Sequence, residues 1–446
     1  MFKRKILNEI LKWEESLKIK KRALVIKGLR QVGKTTVVTE YCKEKYNNVV
    51  YINFMENVSL KKIFDNDLVV NDIVRDLSAA MPNVKFIPNE TVIIFDELQE
   101  CANARSSIKP FMIDGRFDII ATGSLIGLRG YNKKKSKGVP TGFEYTITMY
   151  PMDFEEYLYA KGISGDLLEY VKKCFLYKEK VSDSLNSSFM NYFKEYLCVG
   201  GMPDVVDLFL KTNDLNQVYD LQRNILEQYK DDFGKHLDEN EEEVINKVEL
   251  TRILDVYNSI PNQLARENKK FKYSEIAKNA RAREYFNSII WLKEFGLINI
   301  CNNLSNLEMP LDAYKVSDEF KIYIADTGLF VAMLEKGTTN NILNGDLKIY
   351  KGAIFENIIA DAFSKIGKNL YYYSETRGLE VDFVSKYDNE LVVIEVKAKN
   401  GNAKSLREIL TNDKYDVNKG YKLIDGNIST QDKVVTIPLY MAFLID

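Results

Sequence analysis

The chain has 446 residues, 46% of them hydrophobic and 28% charged, which is typical of globular domains. This length exceeds one ordinary core, so we expect about two to four domains. The 62 Lys and Arg residues nearly balance the 64 Asp and Glu residues, and the net charge of −2 excludes a global positive field that would attract nucleic acid or anionic membrane.

The cysteine and histidine counts restrict the chemistry. Five cysteines lie without metal-type spacing, which favours reduced thiols in a cytoplasmic protein over disulfides or a zinc site. A single histidine argues against histidine-based triads, so carboxylates, lysines and metal ions must carry any catalysis. No apolar run reaches the roughly 18 residues that span a bilayer. The N-terminal residues 1–21 predict an amphipathic helix rather than a signal peptide.

A nucleotide-binding motif follows a short buried strand predicted over residues 23–26. The string GLRQVGKT (28–35) fits the P-loop pattern, and a helix continues from it. Glycines let the backbone direct successive N–H groups at phosphate oxygens, and the helix N-terminus adds its positive end. We expect Lys34 to neutralise the β- and γ-phosphates of ATP and Thr35 to ligate Mg²⁺. The predicted nucleotide contacts are Gly28, Arg30, Gln31, Val32, Gly33, Lys34, Thr35 and Thr36.

A second strand supports this site. The string TVIIFDELQE (91–100) predicts a buried strand that ends in Asp96 and Glu97. Asp96 is the expected partner of the Mg²⁺ shell, and Glu97 is the expected base that orients and activates the attacking water. Because acidic residues often follow strands, this Asp-Glu pair alone is weak evidence for a nucleotide site. With the P-loop upstream it becomes strong evidence.

A third strand, predicted over residues 119–121, is followed by small polar residues. Thr122, Gly123 and Ser124 lie in the string FDIIATGSL. A hydroxyl here, with Ser124 as the candidate, would sense the γ-phosphate or the attacking water. The alternative is an ordinary Gly-Ser turn.

Four strings of the chain are typical of one family: GLRQVGKTT, VIIFDELQE, IIATGSL and MYPMDFEEYL. With them the chain resembles AAA-type, STAND-related P-loop ATPases in which a C-terminal nuclease-like domain follows the ATPase domain (the AAA_14/DUF4143-type architecture). The resemblance implies an α/β multidomain chain with an ASCE P-loop core on a parallel sheet over residues 1–150. It implies a helical lid over 151–240, a winged helix over 241–340 and a PD-(D/E)xK nuclease-like α/β domain over 341–446. Implied partners are ATP and ADP with Mg²⁺, DNA or another nucleic acid, and further copies of the chain, without a membrane.

Two implied features are less complete. The family's arginine finger has three candidates, Arg105, Arg116 and Arg129, but none stands in a recognisable motif. The string YLCVGGMPDVV (196–206) is similar to the G-x-P element at the start of the STAND lid. By that resemblance Pro203 contacts the nucleotide base; the alternative is a loop between two helices. We assign no role to KIYIADTGLF (321–330).

The segment 248–330 alternates helical and short extended patterns. It predicts a helix over 248–261 and a second helix that begins at the N-cap Ser274. A longer amphipathic helix is predicted in the string 282–298, where Gly296 stops it. LINICNN (297–303) and DAYKVS (312–317) follow as wing strands, so the whole predicts a winged helix. Its exposed basic residues are Arg281, Arg283 and Lys293, and Glu284 and Glu294 reduce the positive charge of this surface. The domain could therefore bind DNA or serve only as a packing module.

The last hundred residues predict a helix and a charged hairpin. Glu356 lies on the helix, Asp382 on the first strand, and Glu395 and Lys397 on the second, from the same face because they are two residues apart. This order resembles the PD-(D/E)xK nuclease core. Asp382 and Glu395 would ligate Mg²⁺ or Mn²⁺, Lys397 would stabilise developing charge, and Glu356 would complete or orient the metal shell. The alternative is an ion-pair network without activity.

Downstream basic residues, Lys399, Lys404 and Arg407, are candidates for contact with a phosphate backbone, although such runs are often only solvated. Two functions therefore stay open. One is an ATPase whose nucleotide state gates a metal-dependent nuclease. The other is a slow ATP-driven binding or signalling switch whose C-terminal domain is an inactive partner-binding module.

Overall fold

The computed structural model describes residues 2–125, 140–234, 243–346, 350–375, 378–397 and 401–445, with the side chains of 243–246 left out. The described chain divides into two compact units. The first contains residues 1–150, 235–246 and 294–296. The second contains residues 151–234, 247–293 and 297–446. The finer predicted division of the second unit into lid, winged helix and C-terminal domain stays a prediction.

The first unit is built on a five-stranded parallel sheet in the order β2-β3-β4-β1-β5. The helices that connect these strands contribute apolar side chains to the core, for example Ile73, Leu77, Ile108 and Phe111. The strands are β1 Ala23–Gly28, β2 Asn48–Asn53, β3 Thr91–Asp96, β4 Asp118–Gly123 and β5 Glu144–Met149, and the helices are α1 Ile6–Ser16, α2 Lys34–Lys45, α3 Val70–Ala80 and α4 Ala102–Asp114.

The predicted strands and P-loop helix of this unit are present. Every residue of β3 is buried, which is why its sequence is a continuous apolar run rather than an alternating one. Because β1, β3 and β4 are parallel neighbours or one strand apart, their carboxyl ends lie at one edge of the sheet. That edge is where ligands bind in open α/β sheets. The fold class predicted for the N-terminal core is confirmed.

The second unit begins with a helical array. An Asp153 capping box starts its first helix: Asp153 Oδ1 accepts from Glu156 N at 2.8 Å, and Glu156 Oε2 accepts from Asp153 N at 3.1 Å. The conspicuous MYPMDFEEYL string therefore encodes a helix start. The helices are α5 Phe154–Ala160, α6 Gly165–Tyr177, α7 Asp183–Val199, α8 Pro203–Thr212, α9 Leu215–Phe233, α10 Glu243–Leu264 and α11 Ala282–Phe295.

An eight-stranded mixed sheet, in the order β12-β13-β11-β10-β9-β8-β6-β7, forms the rest of this unit. Its strands are β6 Ile298–Leu304, β7 Lys315–Ile324, β8 Leu370–Ser374, β9 Glu380–Tyr387, β10 Glu390–Val396, β11 Lys419–Ile424, β12 Ser429–Gln431 and β13 Val434–Pro438. The remaining helices are α12 Thr327–Met333, α13 Thr338–Asn344, α14 Lys351–Lys365 and α15 Lys404–Thr411.

Two details differ from the predicted winged helix. The segment at Ser274 forms only a three-residue 3-10 turn, Tyr273–Glu275. Ile276 after it is half-buried and Ala277 is exposed, so the segment does not bury the continuous apolar face that would stabilise a longer helix. The two wing strands are present as β6 and β7, but β6 also pairs in parallel with β8. The wing is therefore one edge of the large sheet, and the predicted boundary at residue 340 falls between strands of that sheet.

The unassigned string KIYIADTGLF has a structural role. Asp326 is 1% exposed; it caps α12 by accepting from Leu329 N at 3.0 Å and also accepts from Gly201 N at 2.7 Å. A Cβ on Gly200 would approach this carboxylate to 2.3 Å. The GGMP string and the ADTG string are thus two halves of one buried contact, and glycine is required there by space.

Candidate nucleotide site and candidate metal centre

The P-loop connects β1 to α2. Gly33 and Gln31 adopt positive φ angles of 89° and 65°, the left-handed region that glycine enters at no steric cost. At Gly28 the restriction is space, because a Cβ would lie 2.3 Å from the carbonyl oxygen of Met149. The loop therefore has the curled backbone that a phosphate cradle requires.

Lys34 begins α2 and is 7% exposed. Its Nζ donates to the carbonyl oxygens of Gly28 at 3.1 Å and Leu29 at 2.9 Å. Burial lowers the pKa of Lys34 to about 8; Glu97 and Asp96 oppose this shift, and Arg30 adds to it. Among the described residues, this desolvated ammonium donates hydrogen bonds to neutral carbonyl oxygens, an arrangement that favours an incoming phosphate anion.

Asp96, at the end of β3, collects hydroxyl groups. Thr35 Oγ1 lies 3.2 and 3.1 Å from its two carboxylate oxygens, and the Tyr51 hydroxyl donates to Oδ2 at 2.6 Å. Thr122 Oγ1 also bonds to Oδ1. The predicted magnesium pair, Thr35 and Asp96, is therefore brought together, and oxygen atoms are the ligands that Mg²⁺ prefers.

Glu97 and Ser124 are joined through a third residue. Gln99 Nε2 donates to Glu97 Oε2 at 2.5 Å, and Gln99 Oε1 accepts from Ser124 N at 3.2 Å. Ser124 is 6% exposed. The predicted base and the predicted sensor thus lie at the two ends of one side-chain amide.

The other predicted nucleotide contacts differ in exposure. Gln31 and Thr36 are exposed, and Arg30 is half-buried. Val32 is buried, and its carbonyl accepts from Arg4 Nη1 at 2.9 Å. Arg4 is 5% exposed and also donates to Tyr150 O at 2.7 Å. A residue before α1 therefore anchors the back of the P-loop.

In the second unit, β9 and β10 form the predicted antiparallel hairpin. Its turn residues Asp388 and Asn389 both have positive φ, as type I′ hairpin turns require. On the other side of β9, Tyr371 pairs with Val384 but Tyr373 pairs with Val381. This bulge adds a residue to β9 beside Asp382 and breaks the regular alternation of faces there.

Glu356, on α14, is fully engaged by side chains from elsewhere. Lys269 Nζ lies 2.7 Å from Oε1, the Tyr323 hydroxyl donates to Oε2 at 2.9 Å, and Lys321 Nζ lies 3.6 Å from Oε2. Burial would raise the pKa of Glu356, but the charges of Lys321 and Lys269 outweigh it and lower that pKa. In this arrangement Glu356 holds two lysines rather than presenting a free carboxylate.

Asp382 and Glu395 are close enough to Glu356 for their charges to interact. Burial and the carboxylates of Glu356 and Glu395 raise the pKa of Asp382 well above its usual value. Burial also raises the pKa of Glu395, although Lys397 opposes it. Glu395 Oε1 pairs with Lys397 Nζ at 2.5 Å, and Asp382 Oδ2 accepts from Val396 N at 2.7 Å. The four predicted residues therefore share one electrostatic cluster.

The capacity of this cluster for a metal is limited. Glu395 Oε2 is buried and has no hydrogen-bond partner in the part of the chain that the structure describes. A buried carboxylate oxygen without a donor is costly and fits a cation ligand. Yet within the described ranges no three or more acidic, His or Cys side chains are arranged to hold an ion. Asp382 and Glu395 are the available pair.

Family models match three successive parts of the chain. Residues 20–158 match the AAA domain, residues 190–340 match a domain of unknown function, DUF8612, and residues 351–441 match a domain of unknown function, DUF4143. Residues 20–158 are an AAA domain. AAA domains are P-loop ATPase domains, so the P-loop geometry described above lies in an ATPase fold, and the hairpin cluster lies largely in the DUF4143 segment.

Some solved structures show similarity to this chain at low sequence identity. The ORC2 protein of Aeropyrum pernix in ADPNP–ADP complexes has 12% identity and a TM-score of 0.35, over 78% of this chain and 95% of that one. A STAND protein with a tetratricopeptide repeat sensor from Pyrococcus horikoshii has 15% identity and a TM-score of 0.24, over 80% and 48%. The RuvB Holliday junction branch migration motor of Thermotoga maritima has 14% identity and a TM-score of 0.30, over 67% of this chain and 89% of that one. TM-scores this low establish no common fold by themselves. No curated protein matches the chain.

Two of the three arginine-finger candidates form ion pairs within the AAA domain. Arg105 forms a two-pronged ion pair with Glu144, both contacts at 2.9 Å, and Arg116 contacts Asp114 at 2.7 Å. Arg129 lies outside the described residues. Pro203 is the first residue of α8 in the second unit, a position that suits proline; its contact with a nucleotide stays a prediction.

The basic residues assigned to nucleic acid are spread out. Arg281, Arg283 and Lys293 are exposed on and before α11. In the DUF4143 segment, Lys404 is exposed, Arg407 Nη2 contacts Gln431 at 3.4 Å, and Lys399 lies outside the described residues. Sequence reasoning did not name Lys422, whose pKa is lowered by burial and then by the charges of Arg407 and Lys397. Among described helices, none combines the length and apolarity needed to cross a membrane.

Sequence reasoning missed four residues that complete the two clusters. They are Tyr51 and Gln99 in the AAA domain and Lys269 and Lys321 at Glu356. Gln99 could have been suspected from the sequence, since it lies only two residues after Glu97. The others lie 45 or more residues from their carboxylates or on unrelated strands, and no local pattern marks such contacts.

Proposed function

We propose that this chain is an ATP-binding switch that hydrolyses ATP in its AAA domain with Mg²⁺. The observation that carries the proposal is the meeting of Lys34, Thr35, Asp96 and Glu97 at one edge of the parallel sheet. Each residue type matches one requirement of phosphoryl transfer to water: a cation, two oxygen ligands and a carboxylate base.

The residues divide the work as follows. Lys34 and the P-loop N–H groups neutralise and orient the β- and γ-phosphates. Thr35 and Asp96 hold Mg²⁺, which supplies charge neutralisation at the phosphate oxygens when bound. Glu97 accepts a proton from the attacking water, a role for a carboxylate in a chain with one histidine. Tyr51 and Thr122 orient Asp96 through its carboxylate.

Equilibrium titration of the purified full chain with ATP and ADP tests this proposal. We expect saturable binding of both nucleotides, and about tenfold tighter ATP binding with Mg²⁺ than with EDTA, because Thr35 and Asp96 gain their shared ligand. The absence of saturable binding in either condition would contradict the proposal.

A second candidate function is a divalent-cation site in the DUF4143 segment that cleaves or grips a phosphodiester. The buried unpartnered oxygen of Glu395 beside Asp382 favours it. Asp382 and Glu395 would ligate the cation, and Lys397 would stabilise charge on the phosphate. Glu356 acts instead as the anchor of Lys269 and Lys321. If no cleavage accompanies cation binding, the segment serves as a partner-binding module driven by the AAA domain.

Electron paramagnetic resonance can measure the binding of Mn²⁺ to the nucleotide-free chain, and this measurement tests the second candidate. We expect Glu395→Gln to weaken Mn²⁺ at least about tenfold, since it removes one of two anionic ligands. Lys269→Met should tighten Mn²⁺ about tenfold, because a cation beside the cluster is removed. Glu390→Gln, at the exposed start of the same strand, is the matched control. Equal Mn²⁺ affinity in the wild type and Glu395→Gln contradicts the site.

Cleavage is scored separately on plasmid and single-stranded DNA with Mn²⁺. Lys397→Ala should abolish any product that the wild type forms. Equal background in the two proteins, with and without ATP, contradicts the nuclease reading and favours the partner-binding module.

A further inference from the structure

Glu97 stands in a backbone conformation that its neighbours must maintain. Its φ and ψ are 52° and 49°, the left-handed region, which non-glycine residues rarely adopt unless the surrounding structure holds them there. Asp96 Oδ1 accepts from Glu97 N at 3.1 Å, so the strand end fixes the backbone. The side chain needs a separate restraint, because a half-buried glutamate has several accessible rotamers.

That restraint is Gln99, on the 3-10 turn Leu98–Glu100. Its Nε2 donates to Glu97 Oε2 at 2.5 Å, and its Oε1 accepts from Ser124 N at 3.2 Å. Glu97 can only accept here and Ser124 N can only donate. A side-chain amide is the group that offers one donor and one acceptor at this distance, so the two contacts also determine which way the amide points.

We propose that Gln99 is a positioning residue for ATP hydrolysis: it ties one oxygen of Glu97 to the end of β4 and leaves the other oxygen for the attacking water. Gln99 acts through Glu97, to which it donates a hydrogen bond. The inference rests on the proposed role of Glu97 as base. It adds a link between that base and the Ser124 backbone, so that a movement of the β4 end reaches the base.

Steady-state phosphate release by the purified full chain with Mg²⁺ and ATP tests the proposal. Gln99→Met keeps the length of the side chain and removes both hydrogen bonds. We expect its kcat to fall about 10- to 100-fold with KM for ATP within about twofold of wild type, because misplacement of a catalytic group costs rate rather than substrate affinity. Glu100→Gln, on the same turn but paired with Lys61, is the matched control and should behave as wild type.

A double-mutant cycle separates positioning from general damage. In a Glu97→Gln background, Gln99→Met should change the residual rate by less than about twofold, since the base it positions is gone. A wild-type or higher kcat in Gln99→Met overturns the inference, and so does an undiminished loss in the Glu97→Gln background. If Glu97→Gln itself hydrolyses ATP normally, the base assignment fails first, and the two failures are distinguishable.

Discussion

Lys34→Ala should lose ATP binding by about 100-fold or more while keeping its fold. A charge-assisted hydrogen bond to phosphate is worth about 1.5–3 kcal/mol. The ammonium adds long-range attraction, which burial strengthens because Lys34 is only 7% exposed. Titration with a fluorescent ATP analogue measures the loss. Lys43→Ala is the matched control, because Lys43 lies on the same helix but pairs with Glu40 at the surface.

Thermal unfolding distinguishes this loss from misfolding. Burial lowers the pKa of Lys34 to about 8, so at neutral pH its charged form carries a desolvation cost in the nucleotide-free protein. Lys34→Ala should therefore unfold at or above the wild-type midpoint, yet lose the upward shift that ATP produces in wild type. Binding within threefold of wild type would refute the phosphate role of Lys34.

Glu97→Gln should bind ATP with wild-type affinity and release phosphate about 10²- to 10⁴-fold more slowly. The amide has the same shape as the carboxylate but takes no proton from water, so the substitution removes one chemical step and leaves the P-loop, Thr35 and Asp96 untouched. Phosphate release under saturating ATP, beside a binding titration of the same sample, measures both quantities.

The control for this substitution is again Glu100→Gln, three residues along the chain and half-buried like Glu97. Its phosphate release should match wild type. Normal hydrolysis by Glu97→Gln would exclude Glu97 as the base, and loss of ATP binding in the same variant would mean that its carboxylate supports the nucleotide rather than the water.

The parts of the AAA domain that a sequence can predict are those where neighbours along the chain determine geometry. The P-loop is one curled turn between a strand and a helix, so Gly28, Gly33 and Lys34 are recognisable from spacing alone. Asp96 and Glu97 are recognisable for the same reason, because they end a continuous apolar strand. Parallel pairing then brings the two strings to one edge.

Contacts made by the tertiary fold escape such reasoning. Tyr51 reaches Asp96 only because β2 lies beside β3. Lys269 lies in a polar stretch without a strand, yet it neutralises Glu356, 87 residues away. The wing strands β6 and β7 were recognisable as strands, but their membership of the large sheet depends on β8, which comes 66 residues after β6 ends.

The C-terminal cluster contains one part that the sequence predicts and another part that depends on tertiary contacts. Residue order along the chain predicted that Glu356, Asp382, Glu395 and Lys397 share one region, and their charges do interact. The bulge beside Asp382 and the two lysines at Glu356 were not predictable, because each depends on a strand or loop that lies outside the hairpin. Glu356 was predicted to complete or orient the metal shell, and that role stays a prediction; its carboxylate contacts Lys269 and Lys321.

We infer that this chain hydrolyses ATP in its AAA domain. The decisive measurement is phosphate release by the purified wild-type chain at saturating ATP, with Mg²⁺ and after removal of divalent cations by EDTA. We expect steady turnover with Mg²⁺ and none with EDTA. Saturable ATP binding without any phosphate release in Mg²⁺ would contradict it.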